Sequence, residues 1–272
     1  MADTCCHSAV IGAASKLLGR EATARDVVQL AVDGRAGRGL PYGLEPGGPL
    51  TERDRDEDSR RLAAESLAAG DPTGWFERLY AESAMGEAIV PWDSQTPHPL
   101  LVEWLPTALG SGVGRRVLVV GCGLGDDAEY VARFGYDTVA FDVSESAVRL
   151  AQERFPDSTV DYRAADLLAS LTEWRHAFDL VVEIMTVQAL PEHLHARAID
   201  SVSGFVGPGG TLLVIASARE EGGPVFAPPW PLTPSEIASF ASEGLVTDRI
   251  EDLRDPERHR CRATFHRPAL SE

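Results

Sequence analysis

Arg115 to Asp142 reads RRVLVVGCGLGDDAEYVARFGYDTVAFD, and its punctuation decides the fold. Val117 to Val120 is a short apolar run, β-branched enough for a buried parallel strand. Gly121-Cys122-Gly123-Leu124-Gly125 is a glycine turn. Asp126 and Asp127 then open a helix whose apolar positions Ala128, Val131, Ala132 and Phe134 keep helical spacing, and Gly135 stops it. Thr138 to Phe141 is a second strand, ending in Asp142, which lies 19 residues past Gly123. Strand, glycine loop, helix, strand and acid in this order form the nucleoside-binding half of a doubly wound α/β sheet. An acid near that distance hydrogen-bonds ribose hydroxyls.

The loop narrows the nucleoside. A dinucleotide fingerprint needs a third glycine where this chain has Asp126. Two acids at a helix N-terminus repel the phosphate such a site otherwise attracts. The loop therefore suits a ligand without phosphates that carries a positive charge, and S-adenosylmethionine fits. The stretch resembles the first two motifs of class I S-adenosylmethionine-dependent methyltransferases. The resemblance implies a Rossmann-like sheet, mostly parallel with a terminal antiparallel strand, and helices on both faces. Gly121, Cys122 and Gly123 would cradle the cofactor, with Asp142 and Val143 at its ribose. An NAD-type oxidoreductase and a non-binding Rossmann-like domain remain open on these residues alone.

Composition bounds the rest. The chain has 272 residues, room for one α/β domain and an N-terminal extension. Apolar residues make up 44%, and 25 basic against 42 acidic residues give a net charge of −17. No basic stripe stands out, so nucleic acid is not an expected partner. No apolar run is long enough to span a membrane, and MADTCCHSAV lacks the features of a signal peptide, so the cytoplasm is the expected location. Cys5, Cys6, Cys122 and Cys261 form neither a disulfide framework nor a metal spacing, and no metal is expected. Residues 1–60 read as an extension carrying two short helices, Ala9 to Leu18 and Thr23 to Val32. A Gly/Pro-rich stretch follows, then a charged linker, Thr51 to Arg61. Residues 61–272 read as the main domain.

Upstream of the glycine loop, residues 72–105 read as a lid. Trp75, Phe76, Leu79 and Tyr80 share a helical face, and Pro91-Trp92-Asp93 makes a stiff turn ahead of Pro97 and Pro99. An indole in a loop suits a flat adenine or a sulfonium. The order Gly-Trp, short helix, Pro-Trp-Asp, Pro-rich turn and apolar helix resembles the thiopurine/thiol S-methyltransferase branch. In that branch the lid covers the cofactor, which implies that Trp75 and Trp92 touch it. Val119 stands where many class I enzymes carry an acid, and that branch likewise does without it. The chain departs from the branch at Gln95, where it usually has glycine, and at Leu79-Tyr80.

Downstream, Ser144 caps a helix over Glu145 to Phe155 and Thr159 to Arg163 forms strand three. The class resemblance implies that Asp166 and the Leu167 amide read adenine. Phe178 to Glu183 is a central strand whose last residue sits at the carboxyl end, where open α/β sheets bind ligands. The family places Met185 and Gln188 between cofactor and acceptor. Trp230, in Pro228-Pro229-Trp230-Pro231, would close over the acceptor. His193 and His195 read as solvated surface. Thr233, Pro234 and Glu236 make a capping box, and Leu245 to Leu253 with His259 to Phe265 form a terminal hairpin.

The resulting expectation is a small-molecule methyltransferase acting on a thiol, as a monomer or homodimer. An O- or N-methyltransferase of a secondary metabolite and a non-catalytic cofactor-binding protein are the alternatives. Methyl transfer from a sulfonium chiefly needs alignment and dryness. A thiol of pKa ~8.5 yields its thiolate readily, so catalytic residues stay unassigned. Asp93 and Glu183 are the acids placed to orient or deprotonate an acceptor, and Asp93 also counts among the acceptor contacts.

Overall fold

A computed structural model describes residues 52–108, 112–225, 227–256 and 258–270, with side chains from residue 56. These fall within one compact unit, Thr51–Glu272. The two short helices expected near the N-terminus, and Cys5-Cys6-His7, lie outside the described residues.

Among the described residues three helices precede the sheet: α1 (Glu52–Ala68), α2 (Gly74–Ala84) and α3 (Pro99–Ala108). α1 runs through the charged stretch expected to be a linker and across the expected boundary at residue 60. Its arginines and acids alternate at helical spacing, so Arg60–Asp56, Arg61–Asp58 and Arg61–Glu65 become ion pairs along one helix. Asp71, between α1 and α2, starts the next helix by accepting from the amides of Thr73 at 3.1 Å and Gly74 at 2.8 Å.

The doubly wound unit follows: β1 (Arg116–Val120), α4 (Asp126–Ala132), β2 (Asp137–Asp142), α5 (Glu145–Arg154), β3 (Asp161–Ala164) and β4 (Phe178–Ile184). After these come α6 (Glu192–Phe205), β5 (Val206–Ser217), α7 (Pro234–Ala238), β6 (Val246–Arg254) and β7 (His259–His266). The seven strands lie in the order β3-β2-β1-β4-β5-β7-β6. All neighbours are parallel except β7, which is antiparallel to both β5 and β6. This is the expected Rossmann-like sheet with its terminal hairpin.

Alternation along the strands splits the core between two faces. Leu118, Val120, Val139, Phe141 and Val181 meet Ala198, Ile199, Val202 and Phe205 of α6 on one face. Val117, Val119, Ala140 and Val182 meet Leu101 and Leu105 of α3, Ala128 and Val131 of α4 and Ala151 of α5 on the other. The expected caps form: Ser144 Oγ accepts from the Ala147 amide at 3.0 Å, and Thr233 and Glu236 close a capping box. β1 and β4 are the neighbours where strand order reverses, so the crevice between their carboxyl ends is the switch point at which such folds bind ligands. No helix among the described residues is long and apolar enough to cross a membrane.

Candidate active site

A cavity of about 640 Å³ opens at the carboxyl edge of the sheet. Its floor is the glycine loop. Gly123 takes φ +51°, and a Cβ there would lie 3.0 Å from the Tyr80 hydroxyl. Gly125 takes φ +91°, and a Cβ there would meet the Tyr162 hydroxyl at 2.4 Å. Only glycine lets the loop turn this tightly under its cover.

Asp142 ends β2 beside the loop. Its Oδ2 accepts from the Gly123 amide at 2.9 Å and its Oδ1 from the Ser144 amide at 3.0 Å. Burial pushes the carboxyl pKa up, while the amides of Ser144, Gly123 and Val143 pull it back down. A carboxylate accepts up to about four hydrogen bonds, more than these amides supply, and Asp142 lines the cavity with Val143, Asp166 and Leu167.

The lid lies over this floor. Trp75, Leu79, Tyr80 and Val90 pack against Leu124 of the glycine loop and Ala147 of α5. Trp92 is 45% exposed. Its Nε1–H donates to the Tyr80 hydroxyl at 2.7 Å, and its ring makes edge contacts with Trp75, Phe76 and Tyr80. Trp75 lines the cavity, and its Nε1 is buried without a hydrogen-bond partner.

Two polar clamps fix the lid. Glu77 of α2 accepts from Ser144 Oγ and Ser146 Oγ, both at 2.6 Å, and from the Ser146 amide at 3.0 Å, at the N-terminus of α5. Burial works against its charge, but these donors outweigh it and hold the Glu77 pKa below the ordinary value. Asp93 takes Arg154 of α5 in a two-point ion pair, at 2.9 and 2.8 Å, and Arg154 also reaches Asp126 at 3.1 Å. Neighbouring Asp127 accepts from the His98 amide at 2.6 Å, and burial lifts its carboxyl to about 6. The acids that exclude phosphate in the sequence thus also tie the lid to the loop.

Residues 117–210 match the family described as "Methyltransferase domain". Over that stretch the chain is similar to methyltransferase domains. Over 115 residues the chain is 32% identical to a ubiquinone biosynthesis O-methyltransferase of Bordetella avium (strain 197N), a match covering 42% of this chain and 47% of that protein. The chain thus spans about half the length of this curated relative. A protein of the same name from Sinorhizobium fredii (strain NBRC 101917 / NGR234) is 28% identical over 217 residues, covering 72% of this chain and 75% of that one. A solved structure described as "Conversion of a Disulfide Bond into a Thioacetal Group during Echinomycin Biosynthesis" shares the fold. It has a TM-score of 0.58 and 20% identity, covering 72% of this chain and 94% of that one.

Trp75, Trp92, Gly121, Cys122, Gly123, Asp142, Val143, Asp166 and Leu167 come together around one cavity, joined by Met185 and Gln188. Met185 takes φ +60° at the end of β4, and Gln188 Oε1 accepts from the Ser217 amide. Three sequence-expected residues stand differently. Glu183 is fully buried and is not part of the cavity wall. Its Oε1 accepts from the amides of Thr186 at 2.8 Å and Val187 at 2.9 Å, bracing the turn after β4. Its Oε2 has no partner, and burial lifts its pKa to about 7. Asp93 does line the cavity, but both its oxygens are held by Arg154, a bracing role. Trp230 does not reach the cavity wall; its amide donates to Gln188 at 2.7 Å, and Pro228 and Pro229 line the cavity instead.

His195 is a correction too. It is 1% exposed, bonded between Leu190 O at 2.8 Å and Glu236 at 2.7 Å, because Ile199 and Val202 put its helix face on the core. Spacing alone could not reveal His98, Arg258 and Arg260, which also line the cavity. They arrive from a lid loop and the terminal hairpin, far apart in the chain.

Proposed function

We propose that this protein transfers a methyl group from S-adenosylmethionine to an oxygen of a small molecule, as a monomer or homodimer. The observation that carries the reading is the cavity whose floor is the glycine loop and whose side is Asp142 and Asp166. When bound, S-adenosylmethionine supplies an electrophilic methyl group on a sulfonium with a good leaving group already attached. The donor and acceptor set fits it. Acids and carbonyls suit a cation, and the unpartnered Trp75 Nε1–H is a donor for a carboxylate. Asp142 offers its free lone pairs to ribose hydroxyls, and Asp166 with the Leu167 amide faces adenine.

The chain's own residues then position and exclude water. Trp75, Tyr80 and Trp92 cover the glycine loop, while Glu77–Ser144 and Asp93–Arg154 hold that cover closed, a proximity device. In this reading Asp93 braces the lid, Glu183 braces the turn carrying Met185 and Gln188, and neither removes a proton. The catalytic unit begins at α1, since Asp56 and Ser59 of that helix reach the cavity, and residues 1–50 are an extension to it. Oxygen as the acceptor atom follows the names of the relatives. A thiol acceptor is the second reading, favoured by the Pro91-Trp92-Asp93 lid.

Calorimetry with S-adenosylmethionine and NAD in parallel tests the cofactor. Binding of the first and not the second is expected, and the reverse would remove the proposal. A panel of catechols, thiols and amines, read by S-adenosylhomocysteine release, then separates oxygen from sulfur.

A further inference from the structure

The walls of the cavity differ in charge. Acids line the glycine loop and lid side. Across the sheet, Arg258 and Arg260 line the wall formed by the start of β7. β7 stands three strands from β1 in the sheet, about 14 Å at the usual strand spacing.

Arginines elsewhere on this hairpin are matched. Arg262 pairs with Glu251 and Glu103, and Arg254 with Asp252 and Glu220. Among the described residues, neither Arg258 nor Arg260 has an ion-pair partner. In a chain of net charge −17, two unmatched guanidinium groups at one cavity wall are unusual company. Burial lowers the Arg260 pKa and Arg258 lowers it further, and Asp255 offsets this only in part.

His98 adds a third donor. Its Nδ1 accepts from the Leu100 amide at 3.2 Å, which leaves the ring proton on Nε2. That Nε2 is buried with no partner, and burial with Arg260 and Arg258 lowers the ring pKa to about 4. Arg262, two residues along β7 from Arg260, donates to Leu100 O at 3.3 Å, so this face of the strand lies against the chain just after His98.

We propose that the methyl acceptor carries an anionic oxygen group, a carboxylate or a phosphate, and that Arg258, Arg260 and the Nε2–H of His98 bind it. The assignment rests on the methyl-transfer reading of the same cavity. A negatively charged protein repels an anionic substrate at long range, so a local cationic wall is what lets one dwell inside.

The test is titration of 4-hydroxybenzoate, 4-hydroxyphenyl phosphate and neutral 4-hydroxybenzamide, with and without S-adenosylhomocysteine, by calorimetry. At least one anion is expected to bind about tenfold or more tighter than the amide, the scale of a hydrogen bond to a charged group. The R258Q/R260Q double variant should lose that preference and R258K/R260K regain part of it, with S-adenosylhomocysteine affinity unchanged in both. Three results would overturn the proposal: anions and amide binding alike or not at all, a preference untouched by R258Q/R260Q, or R258Q/R260Q weakening S-adenosylhomocysteine as much as the anion. In the last case the arginines serve the cofactor. Failure of S-adenosylhomocysteine itself to bind sinks the methyl-transfer reading instead, and the anion arm on the unloaded protein still decides this one.

Discussion

The two ends of the cavity are built by different means. The glycine-loop end uses contiguous chain and backbone: Gly121 to Asp142 supplies floor, turn and acid within one strand–helix–strand unit, and Asp142 is fixed by two amides. The hairpin end is assembled from His98, Met185, Pro228, Arg258 and Arg260, side chains from four separate segments. A ligand shared by a whole class is held by the part that topology dictates. A ligand particular to one protein is held by loops that can change without disturbing the sheet. Substitutions at the first end should therefore strike cofactor binding, and those at the second should leave it alone.

Asp142→Ala is the strongest way to break that division. It removes the acceptor for the ribose and strands the Gly123 and Ser144 amides. Cofactor affinity should fall about 100-fold, the scale of two hydrogen bonds to a charged group. Stability should fall by about 1–3 kcal/mol from the unpaired amides. Calorimetry and urea unfolding read both. Retained affinity in a folded Asp142→Ala protein would show that the ribose is held elsewhere.

Glu183→Gln tests whether that acid is brace or base. Burial holds its pKa near 7 against an ordinary 4.5. The folded protein therefore holds a proton that the unfolded chain releases, between about pH 4.5 and 7. Stability must fall as pH rises through that window, with the loss complete above it. Relative to wild type, the amide should regain up to about 3 kcal/mol at pH 8 and almost nothing at pH 4. Turnover at saturating cofactor should stay within a fewfold. A collapse of turnover with unchanged binding would make Glu183 the base after all.

That acid also marks where the sequence stops being legible. The strands, the glycine loop, Asp142, the Ser144 cap and the Thr233 capping box are local patterns, each readable from spacing within a few residues. Glu183 and Asp93 were rightly placed at the carboxyl edge and in the lid. Their hydrogen-bond partners are the Thr186 and Val187 amides and Arg154, and a carboxylate's partner decides whether it braces or reacts. His195 looked solvent-facing because it was compared with His193 rather than with Ile199 and Val202 on its own helix face. The arginine wall exists only once β7 is laid beside β5, where Arg260 pairs in register with Ser217.

Arg154→Ala asks how far the lid depends on one clamp. It leaves Asp93 and Asp126 without their shared cation but keeps Glu77 on Ser144 and Ser146. Burial would lower the Arg154 pKa, yet Asp93 and Asp126 outweigh it and raise it, so the pair is electrostatically sound. Cofactor affinity should weaken about tenfold or less, given the typical strength of such a partly exposed pair. The defect should shrink as wild type is measured at rising salt, since salt weakens the same contact there. Asp93→Asn should show the same binding loss at normal chemistry per bound complex.

The mildest test separates two tryptophans of one aromatic cluster. Trp92 spends its Nε1–H on Tyr80 at 2.7 Å, whereas Trp75 keeps a buried Nε1–H with no protein partner. Both lose ring volume on change to phenylalanine, so both lose some packing. Only Trp92→Phe gives up a hydrogen bond already made, about 1 kcal/mol of stability. Only Trp75→Phe gives up a donor held in reserve, and its loss should fall on cofactor affinity instead. The ratio of binding loss to stability loss should therefore be larger for Trp75→Phe, by a fewfold in affinity, in paired calorimetry and thermal unfolding. Equal ratios would mean that the unpartnered indole faces no ligand, and that the lid end of the cavity is cover alone.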